Sequence, residues 1–180
     1  MADHLLHSDG IYFLRSVSWS YDDLSPSVLH VYCDASPFAM GFWYPSLAQG
    51  FQAQAHHIFA QQGGSIFFYL EALCVCAAIL DAAPHLLPDQ RLAVHTDNIN
   101  TVQLFNSLSA LPAFNWMLIQ VVDRVLRQGI DLRVFHVPGV HNEIADAVSH
   151  LQNDLLTALH PELVIFAFQP PRPALGAAQL

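Results

Sequence analysis

The segment Val28–Ser36, VLHVYCDAS, decides the fold of this chain. Its apolar and β-branched residues predict a buried strand that leads directly into an acid, Asp34. A carboxylate at the end of a buried strand is costly unless it is paired or protonated. Asp, Ser and Pro in Asp34–Pro37 are also good turn formers, so a turn is the alternative explanation for this acid. A second apolar run, Ala39–Tyr44, follows closely and predicts a β-hairpin.

Further elements follow from hydrophobic periodicity and from the positions of glycine and proline. Arg91–Asp97, RLAVHTD, repeats the opening pattern of a short apolar strand that ends at an acid. Ile66–Leu80 changes to helical spacing and places Glu71 near its start, where an acid also favours the helix dipole. The remaining predicted elements are a weak strand at Gly50–Gln54, helices at Asn98–Ser107, Phe114–Gln128 and Asn142–Leu151, and a strand at Asp131–Val137.

The predicted order β-β-(β)-α-β-α-α-β-α indicates an α/β domain. An antiparallel hairpin and parallel strands would form one mixed five-stranded sheet flanked by helices. Ligand sites in such folds lie beyond the carboxyl ends of parallel strands, and neighbouring strands would bring Asp34 and Asp97 side by side there. We expect a lead-in segment at residues 1–27, the domain at 28–152, and a proline-rich, partly disordered extension at 153–180.

Composition limits the classes of function. The chain has 180 residues, of which 53% are hydrophobic and 12% charged, enough for one domain with a core. Its basic residues are six arginines and no lysine, and its formal charge of −9 argues against a free-standing nucleic-acid-binding protein. The longest apolar run, Ile66–Leu80, is interrupted by Glu71 and is short for a bilayer span, so we expect no membrane partner. We expect an intracellular protein, in the cytoplasm or nucleus, with Cys33, Cys74 and Cys76 as buried free thiols.

Four acids occupy comparable places in the predicted fold: Asp34, Glu71, Asp97 and Asp146. Clustered carboxylates repel one another and raise one another's pKa, and divalent cations remove that conflict. Two such ions about 4 Å apart can act on both the attacking and the leaving oxygen of a phosphodiester. The pattern therefore predicts metal-assisted phosphodiester hydrolysis.

The sequences around these acids resemble the four acidic motifs of ribonuclease H. They read CDAS at Asp34, YLEAL at Glu71, HTDN at Asp97 and HVPGVHNEIADAVSH at Asp146. The likeness is greatest to the ribonuclease H domain that follows the reverse transcriptase in DIRS or Ty3/gypsy-like retrotransposons, and it covers residues 28–151. The resemblance implies a ribonuclease H-like fold and an endonuclease that hydrolyses the RNA strand of RNA·DNA hybrids.

The resemblance also assigns roles to single residues. The four acids would be catalytic and would hold two Mg²⁺ ions, for which Mn²⁺ can substitute. His136, ten positions before Asp146, matches a loop histidine that helps proton transfer or product release; equally, it is a candidate for the last residue of its strand, with its ring in solvent. Candidate substrate-binding residues are Asn98, Asn142 and Ser36. The expected partners are an RNA·DNA hybrid and a reverse transcriptase domain of the parent polyprotein.

The chain departs from the family's pattern at the end of the last motif, where retroelement members have an arginine and this chain has His150. That difference and the acidic charge leave open a catalytically silent module, domesticated or fragmentary, that binds nucleic acid or protein. A different nuclease of the same fold, such as an integrase or a Holliday-junction resolvase, usually has three acids. A zinc site from His136, His141 and His150 lacks cysteine partners and regular spacing. The sequence assigns no role to His56, His57 or His150.

Overall fold

A computed structural model describes Trp19 and residues 25–55, 66–87 and 90–173 of the chain. These residues form one mixed sheet with helices on both faces. The strands are β1 (Val28–Ala35), β2 (Ala39–Tyr44), β3 (Gln49–Gln54), β4 (Arg91–Thr96), β5 (Asp131–His136) and β6 (Val164–Ala167). The helices are α1 (Ile66–Ala82), α2 (Ile99–Ser107), α3 (Pro112–Gln128), α4 (Glu143–Ser149) and α5 (Asn153–Leu159).

The strands lie in the order β5-β4-β1-β2-β3-β6. β1 pairs antiparallel with β2 and parallel with β4, and β4 pairs parallel with β5. The predicted hairpin and the predicted parallel strands are therefore confirmed. The register runs from Val28 opposite Arg91 to Tyr32 opposite His95, so the carboxyl ends of β1 and β4 lie side by side. This register places the acids that follow the two strands at one edge of the sheet.

The sheet has six strands, not the five that were predicted. β6 lies within residues 153–180, which were expected to be an extension, and residues 164–167 pair parallel with residues 49–52 of β3. Three of the four residues of β6 are exposed, so the strand lacks the alternation of buried and exposed positions that marks a strand in sequence. The sheet thus includes residues beyond the predicted end of the domain at 152.

Helix α1 supplies the core on one face of the sheet. It packs on β1, β2 and β4 and against α3, and every residue from 69 to 79 is buried. By length and composition the stretch 67–85 would suffice to cross a membrane, but 72% of its most apolar window lies inside the domain. The regular helix ends at Ala82, two residues before Pro84. The three cysteines are buried and free, as predicted.

Trp19 is one of the described residues of the predicted lead-in segment that contact the sheet. Its indole N–H donates to the carboxylate of Asp131 at 3.3 Å, and its ring packs edge-on against Phe135 with centroids 5.8 Å apart. The lead-in therefore reaches the β5 edge of the sheet at this residue. The predictions that lie outside the described residues concern most of residues 1–27 and the two histidines His56 and His57.

Helix α4 covers the other face, over β1, β2 and β3. The helix lies very close to the sheet at Gly41 of β2. A Cβ built on Gly41 would lie 2.5 Å from Cγ1 of Val148 and 2.9 Å from the backbone nitrogen of Ser149. Because a backbone atom cannot turn aside as a side chain can, this contact requires glycine.

We expect Gly41→Ala to lower the free energy of unfolding by about 1–3 kcal/mol, the usual cost of overpacking. The added methyl group must push α4 away from β2. Chemical denaturation measures the loss, and Gly50→Ala is the matched control. A Cβ on Gly50 would lie 2.6 Å from the flexible end of the Ile165 side chain and at an ordinary 3.7 Å from side-chain atoms of Leu163 and Val148, with no backbone atom among these contacts. Equal losses of unfolding free energy in the two variants would show that the backbone contact between Gly41 and α4 is not the cause of the destabilisation.

Candidate active site

Three of the four predicted acids meet where β1, β4 and α1 come together. Asp34 lies near the end of β1, Glu71 lies in α1, and Asp97 follows the last residue of β4. One carboxylate oxygen from each lies within 4.8 Å of the other two. Asp34 and Glu71 are buried, whereas Asp97 is exposed. The parallel register of β1 and β4, with α1 packed across both strands, brings these acids together.

Glu71 is held between the ends of the two strands. The backbone N–H of Ala35 donates to Oε1 at 3.3 Å, and the hydroxyl of Thr96 donates to Oε2 at 3.3 Å. The first turn of α1 contains no acid, so Glu71 lies too far along the helix for the helix dipole to explain it. Its carboxylate is instead a buried group whose orientation the sheet determines.

Asp146 and His150 approach Asp34 from α4. One carboxylate oxygen of Asp34, one of Asp146 and one ring nitrogen of His150 all lie within 4.8 Å of one another. Asp146 and His150 are both exposed and are four residues apart, which puts them on one side of the helix. Asp34 belongs to both groups, so the structure gathers all four predicted acids around this one carboxylate.

Two side chains hold α4 against β1. The hydroxyl of Ser149 donates to Oδ2 of Asp34 at 2.5 Å, and Nδ2 of Asn142 donates to the carbonyl of Cys33 at 2.9 Å. Asn142 is buried and bonds to the residue before Asp34, and its substrate-binding role stays a prediction. Sequence reasoning missed Ser149, although a hydroxyl residue one turn after Asp146 was a usable signal.

Ser36 and Asn98, both predicted to bind substrate, have local partners. Ser36 is buried; its hydroxyl donates to the carbonyl of Ser149 at 2.8 Å and accepts the N–H of Ala39 at 3.1 Å. This hydroxyl joins the β1–β2 turn to α4, and the substrate-binding role of Ser36 stays a prediction. Asn98 caps α2, with Oδ1 accepting two backbone N–H groups at 3.1 Å, and its substrate-binding role stays a prediction.

His136 is the last residue of β5 and is exposed, which is the second of its two predicted placements. Its Nε2 lies 3.1 Å from the backbone carbonyl oxygen of Asp97, so the ring N–H donates to that carbonyl. Within the described part of the chain, neither His136 nor His141 belongs to a group of potential metal ligands. A role of His136 in proton transfer stays a prediction.

The gathering of carboxylates raises the pKa of both buried acids. Burial raises the pKa of Glu71 to about 9, and the charges of Asp34 and Asp97 add to the effect. Burial raises the pKa of Asp34 to about 6, where the charges of Asp97 and Asp146 add and the hydrogen bond from Ser149 opposes. Divalent cations bind such oxygen donors and remove the repulsion between them. The donor set therefore fits the metal ions that the four acids predicted.

No protein-family model matches the sequence, and no curated protein matches it. The structure is similar to the crystal structure of RNase H1 from the halophilic archaeon Halobacterium salinarum NRC-1, at 17% identity and a TM-score of 0.52. That match covers 71% of this chain and 98% of the archaeal chain. The fold is that of ribonuclease H.

Two further ribonuclease H structures agree with this assignment. LC11-RNase H1 in complex with an RNA/DNA hybrid matches at 15% identity with a TM-score of 0.56, over 71% of this chain and 99% of that chain. A second structure of LC11-RNase H1, isolated from compost by a metagenomic approach, matches at 15% identity with a TM-score of 0.53. That match covers 73% of this chain and 96% of that chain. The ribonuclease H fold thus accounts for the mixed sheet and for the helices packed on it.

The metal-free protein should lose stability as the pH rises. Glu71 keeps its proton in the folded state up to a pKa of about 9, whereas the unfolded chain releases it near 4.5. Between the unfolded-state and folded-state pKa values of Glu71, each rise in pH favours the unfolded state, in which this carboxyl group has lost its proton. The free energy of unfolding should therefore fall by up to about 1.4 kcal/mol per pH unit for this one group.

Chemical denaturation from pH 5 to pH 9 with a chelator present measures this slope. Glu71→Gln removes the titrating group and should flatten the pH dependence. Glu162→Gln, which changes an exposed glutamate, should keep the wild-type slope. A Glu71→Gln variant with an unchanged slope would contradict the raised pKa.

Proposed function

We propose that this chain is a metal-dependent endonuclease that hydrolyses the RNA strand of RNA·DNA hybrids. The observation that carries the proposal is the convergence of Asp34, Glu71 and Asp97, with Asp146 on the other side of Asp34. These acids come from separate elements of a ribonuclease H fold and span more than a hundred positions of sequence. The substrate class is supported by the neighbour LC11-RNase H1, whose structure contains an RNA/DNA hybrid.

When bound, two divalent ions, Mg²⁺ or Mn²⁺ in its place, would supply Lewis-acid chemistry and an activated water for phosphodiester hydrolysis. The chain's own acidic residues supply the ligands that would hold these ions, referred to below as the metal cage. Asp34 is shared between the two groups of ligands and is oriented by Ser149. Glu71 is oriented by the ends of β1 and β4. Asp97 and Asp146 are exposed, so a hybrid can reach this side of the cage.

The proposal includes an origin in the reverse transcriptase polyprotein of a retroelement. The four motifs support this origin through their likeness to retrotransposon domains. With six basic residues, all arginine, and a formal charge of −9, the chain alone should bind a hybrid weakly and in a salt-sensitive way. A reverse transcriptase domain in the parent polyprotein would supply the missing affinity.

A catalytically silent module of the same fold is the second candidate. The acidic charge favours it, as does His150 at the position where retroelement members have an arginine. The four acids argue against it, because buried Asp34 and Glu71 destabilise the metal-free fold and a silent module has no use for them. The two candidates differ in whether the purified chain cuts a hybrid.

Cleavage of a labelled RNA·DNA hybrid at low salt, with Mg²⁺ and then with Mn²⁺, tests the proposal. We expect Asp34→Asn and Asp97→Asn to lower the cleavage rate at least about a hundredfold, because even indirect partners of a metal site cost about 10–100-fold. Asp154→Asn, which changes an exposed acid on α5, should cleave like the wild type. Wild-type cleavage by Asp34→Asn would refute the metal cage, and an inactive wild type would support the silent module.

A further inference from the structure

His150 occupies a different position from His136, the histidine that the motif resemblance selected. It follows the last residue of α4, and 39% of its side chain is exposed. One of its ring nitrogens lies within 4.8 Å of a carboxylate oxygen of Asp34 and of Asp146. His136, in contrast, donates to the backbone carbonyl of Asp97 and lies outside this group. His150 is therefore the described histidine that shares a possible metal position with two of the four acids.

The last turn of α4 holds the imidazole in place. Nδ1 lies 3.0 Å from the carbonyl oxygen of Asp146 and 3.2 Å from Oγ of Ser149, the hydroxyl that also donates to Asp34. It lies 3.4 Å from Oδ1 of Asp146. Nδ1 is therefore the ring nitrogen that lies beside the acids, and in the tautomer that carries its proton on Nε2 it offers a lone pair to an ion between Asp34 and Asp146.

We propose that His150 is a nitrogen ligand of the metal position formed with Asp34 and Asp146, and that it makes this position prefer Mn²⁺ and other first-row transition ions over Mg²⁺. The inference rests on the proposed function, because it concerns the same metal centre. Mg²⁺ is bound mainly through oxygen ligands and retained water, whereas imidazole suits transition ions. The position formed by Asp34, Glu71 and Asp97 has oxygen donors alone and suits Mg²⁺.

The two metal positions therefore differ in chemistry although they share Asp34. Exposed Asp146 and His150 leave the mixed position open to solvent, so an ion can exchange there without opening the core. The all-oxygen position lies deeper, because Asp34 and Glu71 are buried. We expect the wild-type chain to bind Mn²⁺ more tightly than Mg²⁺ at the mixed position.

Binding of Mn²⁺ and of Mg²⁺ to the full chain, measured by titration calorimetry, tests the preference without any substrate. His150→Gln retains a polar side chain with a carbonyl oxygen but lacks the imidazole. We expect it to weaken Mn²⁺ binding about 10-fold or more, while Mg²⁺ binding stays near the wild-type value. Electron spin-echo spectroscopy of bound Mn²⁺ should detect coupling to an imidazole nitrogen in the wild type, and His150→Gln should lose it.

His141→Gln is the matched control, because it changes an exposed histidine that is outside both groups of potential ligands. It should keep the nitrogen coupling and the preference for Mn²⁺. A coupling that survives in His150→Gln, or disappears in His141→Gln, overturns the inference, since another of the 11 histidines then holds the ion. An unchanged ratio of the two affinities in His150→Gln overturns it as well.

Asp34→Asn separates this inference from the proposed function. Loss of metal binding in Asp34→Asn together with unaltered binding in His150→Gln would leave the metal centre intact with oxygen ligands alone, and the inference would fail by itself. A wild-type chain that binds neither ion would overturn the inference and the metal-dependent function together.

Discussion

The hydrogen bonds from Ser149 to Asp34 and from Asn142 to the carbonyl of Cys33 join the last helix of the site to the first strand. Helix α4 has only seven residues, too few to be stable in isolation, so its position is set by what it packs against. Gly41 allows the close approach, and the two hydrogen bonds determine where along β1 the helix lies. This contact brings Asp146 close to Asp34.

The same contact concentrates negative charge in a partly buried region. Glu71 and Asp34 lie between the sheet and the helices, where burial and mutual repulsion raise the pKa of both carboxyl groups. Strongly perturbed acids of this kind occur most often at functional sites, where stability is sacrificed for chemistry. The buried apolar helix α1 offsets that cost, because it carries Glu71 on a segment most of whose other residues belong to the core.

Sequence reasoning succeeded where the physical signal is local. The strands β1 and β4 follow from short apolar runs, and the meeting of Asp34 and Asp97 follows from their equivalent positions at the ends of those runs. The order of the motifs led to the prediction that Glu71 and Asp146 lie near Asp34. Motif order identifies the helices that carry these acids, but it does not predict which side chains form contacts there.

The features that sequence reasoning missed depend on distant partners. The contact of Ser36 with α4 was missed because its acceptor, the carbonyl of Ser149, is 113 residues away. The role of Ser149 was hidden for the same reason, since its partner Asp34 is 115 residues away. Strand β6 was missed because it is short, mostly exposed and paired with a strand far earlier in the chain.

Strand β6 also affects how the molecule behaves among its neighbours in solution. Without it, β3 would expose a row of unpaired N–H and C=O groups, a template on which another polypeptide can add a strand and begin to aggregate. β6 takes that place and is the outermost described strand on this side, but it is only four residues long. Pro170 and Pro171 follow soon after, and neither has an N–H to donate. The edge of the sheet formed by β6 is therefore short and poorly suited to intermolecular pairing.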